Sequence, residues 1–231
     1  MMGFRCFFSL FLIAWCLLPT SPCFAARPLN TDDANIVDEN GCQLETWTKR
    51  QVAASSQWAM PACNWGRDVE WTLGAARLAD DAVGANQWRA FQAKKRWQSL
   101  ADHGLGIASA VGVVRTYPNS PSHDYFLNLP VSVSLERERY IHLNAGFIVH
   151  HATSQTHATW GVGAELPVTP SWIAIAETYG ETQQNTAYQM GLRFWAVPQK
   201  VQIDTTYGNQ FGTPVGQRWL TVGLRLMFSP H

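Results

Sequence analysis

The sequence predicts an all-β protein, an antiparallel up-and-down transmembrane β-barrel of about 12 strands. Three observations predict it. From about residue 41 onward the chain is a succession of roughly ten-residue segments with period-2 alternation, broken by Gly, Pro, Asn, Asp and Ser. Each segment sorts into one apolar and one polar face. An export leader precedes them all.

Residues 1–25 read as a signal peptide. Arg5 supplies the positive start, residues 7–18 an apolar stretch, and Cys23-Phe24-Ala25 a small-x-small cleavage site. A lipoprotein signal is disfavoured because Pro22 precedes Cys23 and Trp15 precedes Cys16. Residues 26–40 then read as a periplasmic N-terminal segment, and 41–231 as the barrel. Lys plus Arg equals Asp plus Glu at 17 each, so no basic excess points to nucleic acid.

The strand segments run over 41–51, 56–64, 68–78, 87–97, 104–115 and 124–134, then 140–151, 157–166, 171–179, 187–196, 201–208 and 218–228. An even count closes an up-and-down barrel with both ends on one side. The seventh segment sets Ile141, Leu143, Ala145, Phe147 and Val149 against His142, Asn144, Gly146 and His150. The tenth sets Met190, Leu192 and Phe194 against Gln189, Gly191 and Arg193. The last sets Leu220, Val222, Leu224 and Leu226 against Thr221, Gly223 and Arg225.

An apolar-in sandwich or ligand-binding barrel makes the same pattern and stands as the alternative. Strand length favours the membrane, since tilted spanning strands need about 9–11 residues. Ten of the 11 tryptophans follow the leader, many near segment ends (Trp58, Trp88, Trp97, Trp160, Trp172, Trp219), where an interfacial girdle would put them. Glycines on the polar faces (Gly104, Gly106, Gly112, Gly161, Gly163, Gly223) suit a crowded, narrow interior. Alternate connections are short, near 65–67, 135–139, 168–170 and 197–200, although 98–103 is longer than a periplasmic turn should be.

The stretch Arg27-Pro28-Leu29, Thr31-Asp32-Asp33-Ala34 and Gln43-Leu44-Glu45 resembles the start of the bacterial family labelled "MetA-pathway of phenol degradation". Pro61-Ala62-Cys63-Asn64, Gly191-Leu192-Arg193-Phe194-Trp195 and Gln202-Ile203-Asp204-Thr205-Thr206-Tyr207-Gly208 are similar to it as well. The resemblance implies an outer-membrane barrel with a transport role. Asn30, where an aliphatic residue is common, and Asp38-Glu39, in place of a Gly-Lys, depart from it.

Cys42 and Cys63 outlast the leader, and a hairpin centred between Val52 and Ala53 sets them opposite one another. In an oxidising compartment they read as a disulfide, with two unpaired thiols as the alternative. Arg193 and Asp204 face each other across a hairpin centred on Pro198-Gln199. Such a pair inside a barrel needs company, which Glu177, Arg225, Glu165, Lys94 and Glu70 can supply. The set reads either as a structural charge network or as the lining for a small, aromatic or hydrophobic solute.

A hydrolase is the rival reading: Ser132 and His142 fall on the polar faces of adjacent strands, but no lipase-like signature surrounds them. His150, His151 and His157 flank a turn centred between Thr153 and Ser154. Without a carboxylate or thiol beside them they make a weak zinc site, so the stretch reads as a polar loop tip. No metal, cofactor or enzymatic activity is expected. The expected partners are outer-membrane lipid, the barrel-assembly machinery and a small solute.

Overall fold

A computed structural model describes residues 29–80, 84–117, 123–212 and 217–228. The expected signal peptide lies outside these residues. Twelve strands follow in order: β1 (Cys42–Arg50), β2 (Ala54–Asn64), β3 (Val69–Asp80), β4 (Gly84–Gln98), β5 (Leu105–Tyr117), β6 (Asp124–Leu135), β7 (Arg139–His150), β8 (Gln155–Pro167), β9 (Trp172–Glu181), β10 (Ala187–Val197), β11 (Val201–Gln210) and β12 (Trp219–Phe228). Each pairs antiparallel with its neighbour in sequence, and β1 pairs with β12 to close the barrel. Closure leaves no strand edge with unpaired backbone groups, which is the condition for a sheet to sit in lipid. None of the described helices is long and apolar enough to cross a membrane.

The faces run as a membrane barrel requires. Leu220 and Val222 are exposed on the outside, whereas Thr221 and Arg225 of the same strand are buried within. The register puts Cys42 opposite Cys63, and a disulfide joins them. It ties β1, the closing strand, to β2 at the end where the barrel begins.

The tryptophans divide. Trp97, Trp160 and Trp172 are exposed on the outside, as a girdle requires, but Trp219 is buried. Trp58 and Trp88 stand two and four residues from the lumen-lining Met60 and Gln92, on the same face of their strands, so they too face inward. Trp47 stacks on Trp58 at 5.1 Å, and Trp58 meets Trp88 edge-on at 4.9 Å. Half of the expected girdle thus faces inward, and two of its members, Trp58 and Trp88, join Trp47 in an aromatic ladder on the inner wall. Stacking across adjacent strands holds these rings better than separate contacts with lipid would.

The long connection after β4 is a single helical turn, α1 (Leu100–His103). Gly104 ends it at φ 66°, a left-handed conformation that glycine adopts without penalty, and its N–H donates to the Leu100 carbonyl at 2.9 Å. Gly104 is therefore a helix cap and not a wall residue. Leu100 is buried, so α1 closes part of the lower end.

Residues 26–40 are the expected periplasmic N-terminal segment. The described part, 29–40, runs inside the lumen, with Thr31, Asp33, Ala34, Asn35, Ile36 and Val37 all buried. It enters beside β1 and rises to mid-height near β8 and β9. Gly161 and Gly163 make room for it: a Cβ on Gly161 would come within 2.6 Å of Thr31 Oγ1.

The outside-in polarity of the wall sets an expected outcome. Val222→Arg places a charge on the lipid face and should destabilise the barrel in vesicles by roughly 2–4 kcal/mol if it lies near the bilayer midplane, read by urea unfolding. Unchanged stability would mean that this row does not face lipid.

Candidate functional site: a plugged lumen

Residues 29–40 contain no helix or strand, so their main-chain groups cannot satisfy one another. In a lumen such groups must find partners or be destabilising, and inward-facing side chains of the wall supply them. Glu177 of β9 accepts the backbone N–H of Asn30 at 2.7 Å and that of Thr31 at 2.6 Å. The Asn30 side-chain amide adds a third bond to this carboxylate, and Gln189 of β10 a fourth. Asn30, one of the departures from the family pattern, is thus a ligand of Glu177.

Below that anchor, Asn144 of β7 both accepts the Asp32 N–H at 2.8 Å and donates to the Asp32 carbonyl at 2.6 Å. Ser132 Oγ accepts the Ala34 N–H, and Glu70 Oε2 the Val37 N–H, each at 2.8 Å. Asn64 donates its amide to the Val37 carbonyl at 2.8 Å. Side chains of five strands therefore bind the main chain of one irregular segment, and the Asn40 N–H adds a backbone bond to the Asn64 carbonyl at 2.7 Å.

The seven charged residues expected on the lumen side all lie there, and all are buried. Their shortest contacts run to different partners. Arg193 is opposite Asp204 in register, and its Nη1 donates to Glu165 Oε2 at 2.7 Å. Across the barrel, Lys94 binds Asp32 at 2.8 Å and lies 3.6 Å from Asp33, both on the plug, while standing opposite Glu70. Arg225 reaches Gln43 at 2.9 Å and Glu45 at 3.6 Å on the neighbouring β1. The sequence placed charges on a face; it did not show that Asp32 and Asp33 of the plug take part in their pairing.

Asp32 and Asp33 were missed as lumen residues because the Thr-Asp-Asp-Ala stretch has no periodicity to place it. Asp33 is buried, and its Oδ2 has no hydrogen-bond partner among the described residues. Burial pushes its carboxyl up to about 7, against the pull of Lys94, with Asp32, His142 and Arg225 as the other charged neighbours.

Ser132 and His142 meet as the register requires, with Ser132 Oγ 2.8 Å from His142 Nδ1. His142 Nε2 lies 3.6 Å from Glu165 Oε1. The line Ser–His–Glu has the composition of a hydrolase triad, yet both Ser132 and His142 have no exposed surface. The plug also covers the hydroxyl through the Ala34 N–H.

Above the plug the lumen opens into a vestibule of about 710 Å³, floored by residues 29–36 and walled by Trp47, Lys49, Phe126, Asn128, Trp219 and others. Lys49 Nζ sits 4.1 Å over the Trp219 ring, whose N–H donates to Gln189 at 3.0 Å. At its outer rim the expected loop tip is different from the sequence reading. His150 pairs with Gln155, so His157 lies opposite Ile148 rather than His150. The carboxylates thought absent are present, for Glu181 of β9 and Asp124 of β6 both touch His150. They stand at strand ends on the inner face, the one signal that could have found them.

A closed barrel of twelve strands with an apolar exterior, a charged interior and an internal plug is an outer-membrane-type β-barrel. The chain belongs to the family described as "Uncharacterised conserved protein UCP029691", which matches residues 13–228. No curated relative matches the sequence. The fold is similar to the KdgM porin, with a TM-score of 0.63 and 9% identity over 82% of this chain and 99% of that one. It is also similar to an outer membrane channel from Pseudomonas putida F1, with a TM-score of 0.63 and 9% identity over 87% and 100%. The NanC porin is similar at a TM-score of 0.60 and 7% identity, over 82% and 100%. The porin-like barrel implied by the N-terminal resemblance is thus observed, while none of these matches carries the phenol-degradation label.

The buried Asp33 sets a pH dependence. Its carboxyl titrates higher when the plug is seated than in an unfolded chain, so its protonation supports the seated state fully below pH 3.8 and this support is lost as pH rises through about 7. Urea unfolding should show wild type losing stability between pH 5 and pH 8 relative to Asp33→Asn, in which this carboxyl is absent. Parallel profiles would remove Asp33 as the titrating group.

Proposed function

We propose that the protein is an outer-membrane channel for a small solute, exported through a cleaved leader and closed at rest by its own residues 29–40. The observation that carries this reading is the plug: an irregular segment held chiefly by side chains from six strands, through polar bonds that water can replace. A purely structural barrel could fill its lumen with wall side chains and would not need a separable segment. The porin and channel folds of its structural neighbours support the same class of function.

The vestibule points to the solute. Once Asp33 is ionised, acidic side chains on the lining (Asp32, Asp33, Glu45, Glu70, Glu181) outnumber basic ones (Lys49, Lys94, Arg225), and Trp47, Trp219 and Phe126 present aromatic surface. Field and surface together favour a neutral or cationic solute with an aromatic or apolar face. One solved structure of the KdgM porin holds a disordered oligogalacturonate; an acidic sugar of that kind is a poor match to this lining. The hydrolase reading is weaker, because Ser132 is sealed by the plug and no substrate can approach it.

The test compares wild type with a variant lacking residues 29–36 in planar bilayers, both first shown to be folded by heat-modifiable migration. Wild type should pass little current. The variant should conduct steadily, several-fold above wild type, with a zero-current potential in a salt gradient that marks cation preference. A folded variant as silent as wild type would overturn the channel.

A further inference from the structure

The outer rim of the vestibule holds a second constellation that neither the plug nor the wall network uses. His150, the last residue of β7, has both ring nitrogens against carboxylates: Nδ1 lies 3.0 Å from Asp124 Oδ2, and Nε2 lies 2.9 Å from Glu181 Oε1. A neutral imidazole has one N–H and one lone pair. It can therefore donate to only one of the two, and the other contact sets a lone pair against an anionic oxygen. Only a cation in that gap, a second proton or a metal ion, removes the conflict.

His157 of β8 sharpens the point. Its Nδ1 lies 2.5 Å from the same Glu181 oxygen, and its ring meets that of His150 edge-on at 4.9 Å. Two imidazole nitrogens thus converge on one carboxylate, and the three donor atoms all lie within 4.8 Å of one another. Three adjacent strands supply them, so the site rests on the barrel wall and not on a loop.

We propose that His150, His157 and Glu181 bind one divalent transition-metal ion of the zinc class at the outer mouth of the lumen, with Asp124 as the positioning residue. Two imidazoles and a carboxylate form the donor set of zinc, copper and nickel rather than of calcium or magnesium, which prefer oxygen alone. A tetrahedral ion with bonds near 2.0–2.1 Å keeps its donors about 3.3 Å apart, so entry requires the two imidazole nitrogens, which lie within 4.8 Å of one another, to close by up to about 1.5 Å while the Glu181 oxygen moves outward from both.

Asp124 completes the arrangement. Its Oδ2 accepts the His150 Nδ1 proton, which fixes the tautomer that points the Nε2 lone pair at the ion. Its Oδ1 accepts the His151 backbone N–H at 3.1 Å, which holds the carboxylate in place. Glu181 lines the vestibule, so the fourth coordination position opens toward the space a solute would occupy. The site is independent of whether the barrel conducts.

The experiment is isothermal titration of zinc chloride into the untagged, chelator-stripped, folded barrel in detergent micelles. One ion per barrel with micromolar or tighter affinity is expected. His157→Ala and Glu181→Gln should each weaken it by about a hundredfold, and Asp124→Asn by about 10–100-fold, while His151→Ala leaves it unchanged. Calcium and magnesium should not compete. If Glu181→Gln fails to fold, His150→Gln replaces it as the second ligand variant. No uptake by the folded wild type, or affinity that survives loss of both His150 and His157, would overturn the site and mark any bound zinc as adventitious.

Discussion

The closed state of this barrel depends on one carboxylate, Glu177, accepting two successive backbone N–H groups from a chain more than a hundred residues away in sequence. A carboxylate buried in a barrel wall is costly alone, and an extended strand of main chain in a lumen is costly alone. Each is the other's solution: charge-assisted bonds compensate the anion, and the anion satisfies donors that no secondary structure could. The same exchange recurs down the segment at Asn144, Ser132 and Glu70, so the plug and the polar wall are complementary. Loss of one anchor strands polar groups at about 1–3 kcal/mol each, while the barrel's backbone ladder is untouched.

That separation between ladder and plug is what makes a channel physically reasonable. The twelve strands owe their stability to backbone pairing and to an apolar exterior, in which residues 29–40 take part, among the described residues, only where the Asn40 N–H meets the Asn64 carbonyl at the end of β2. Side-chain bonds to the plug can open without breaking the sheet. The buried Arg193–Glu165 pair, by contrast, lies between strands of the wall and stays whether the segment is seated or not. Lys94 differs, since its partners Asp32 and Asp33 lie on the plug and not on the wall.

Period-2 alternation and turn composition made most of the fold legible. Strand ends fall within a few residues of expectation, and the antiparallel sums that set Cys42 against Cys63, Arg193 against Asp204 and Ser132 against His142 all appear in the register. The plug was not legible, because a short irregular segment has no periodicity and its partners lie far off in sequence. The polar-face glycines hinted at it: Gly161 and Gly163 are small because Thr31 passes beside them. Trp58, Trp88 and Trp219 were misplaced because a tryptophan near a strand end suits either face. The histidine register slipped because the turn spans residues 151–154, with Ser154 at φ 54°, one position from the assumed centre. That slip, and the distance in sequence of Asp124 and Glu181, hid the carboxylates beside the imidazoles.

The central claim, that residues 29–40 occupy the lumen, is tested most directly by a covalent trap. A Cβ on Gly163 would lie 3.4 Å from the Thr31 Cβ, within reach of the separation a disulfide needs. In the double variant Thr31→Cys, Gly163→Cys, isolated in outer membranes without added oxidant, a bond between positions 31 and 163 should form in most molecules and leave both thiols closed to maleimide. Two free cysteines that both react with a membrane-impermeant maleimide in the folded barrel would place the segment outside and contradict the account.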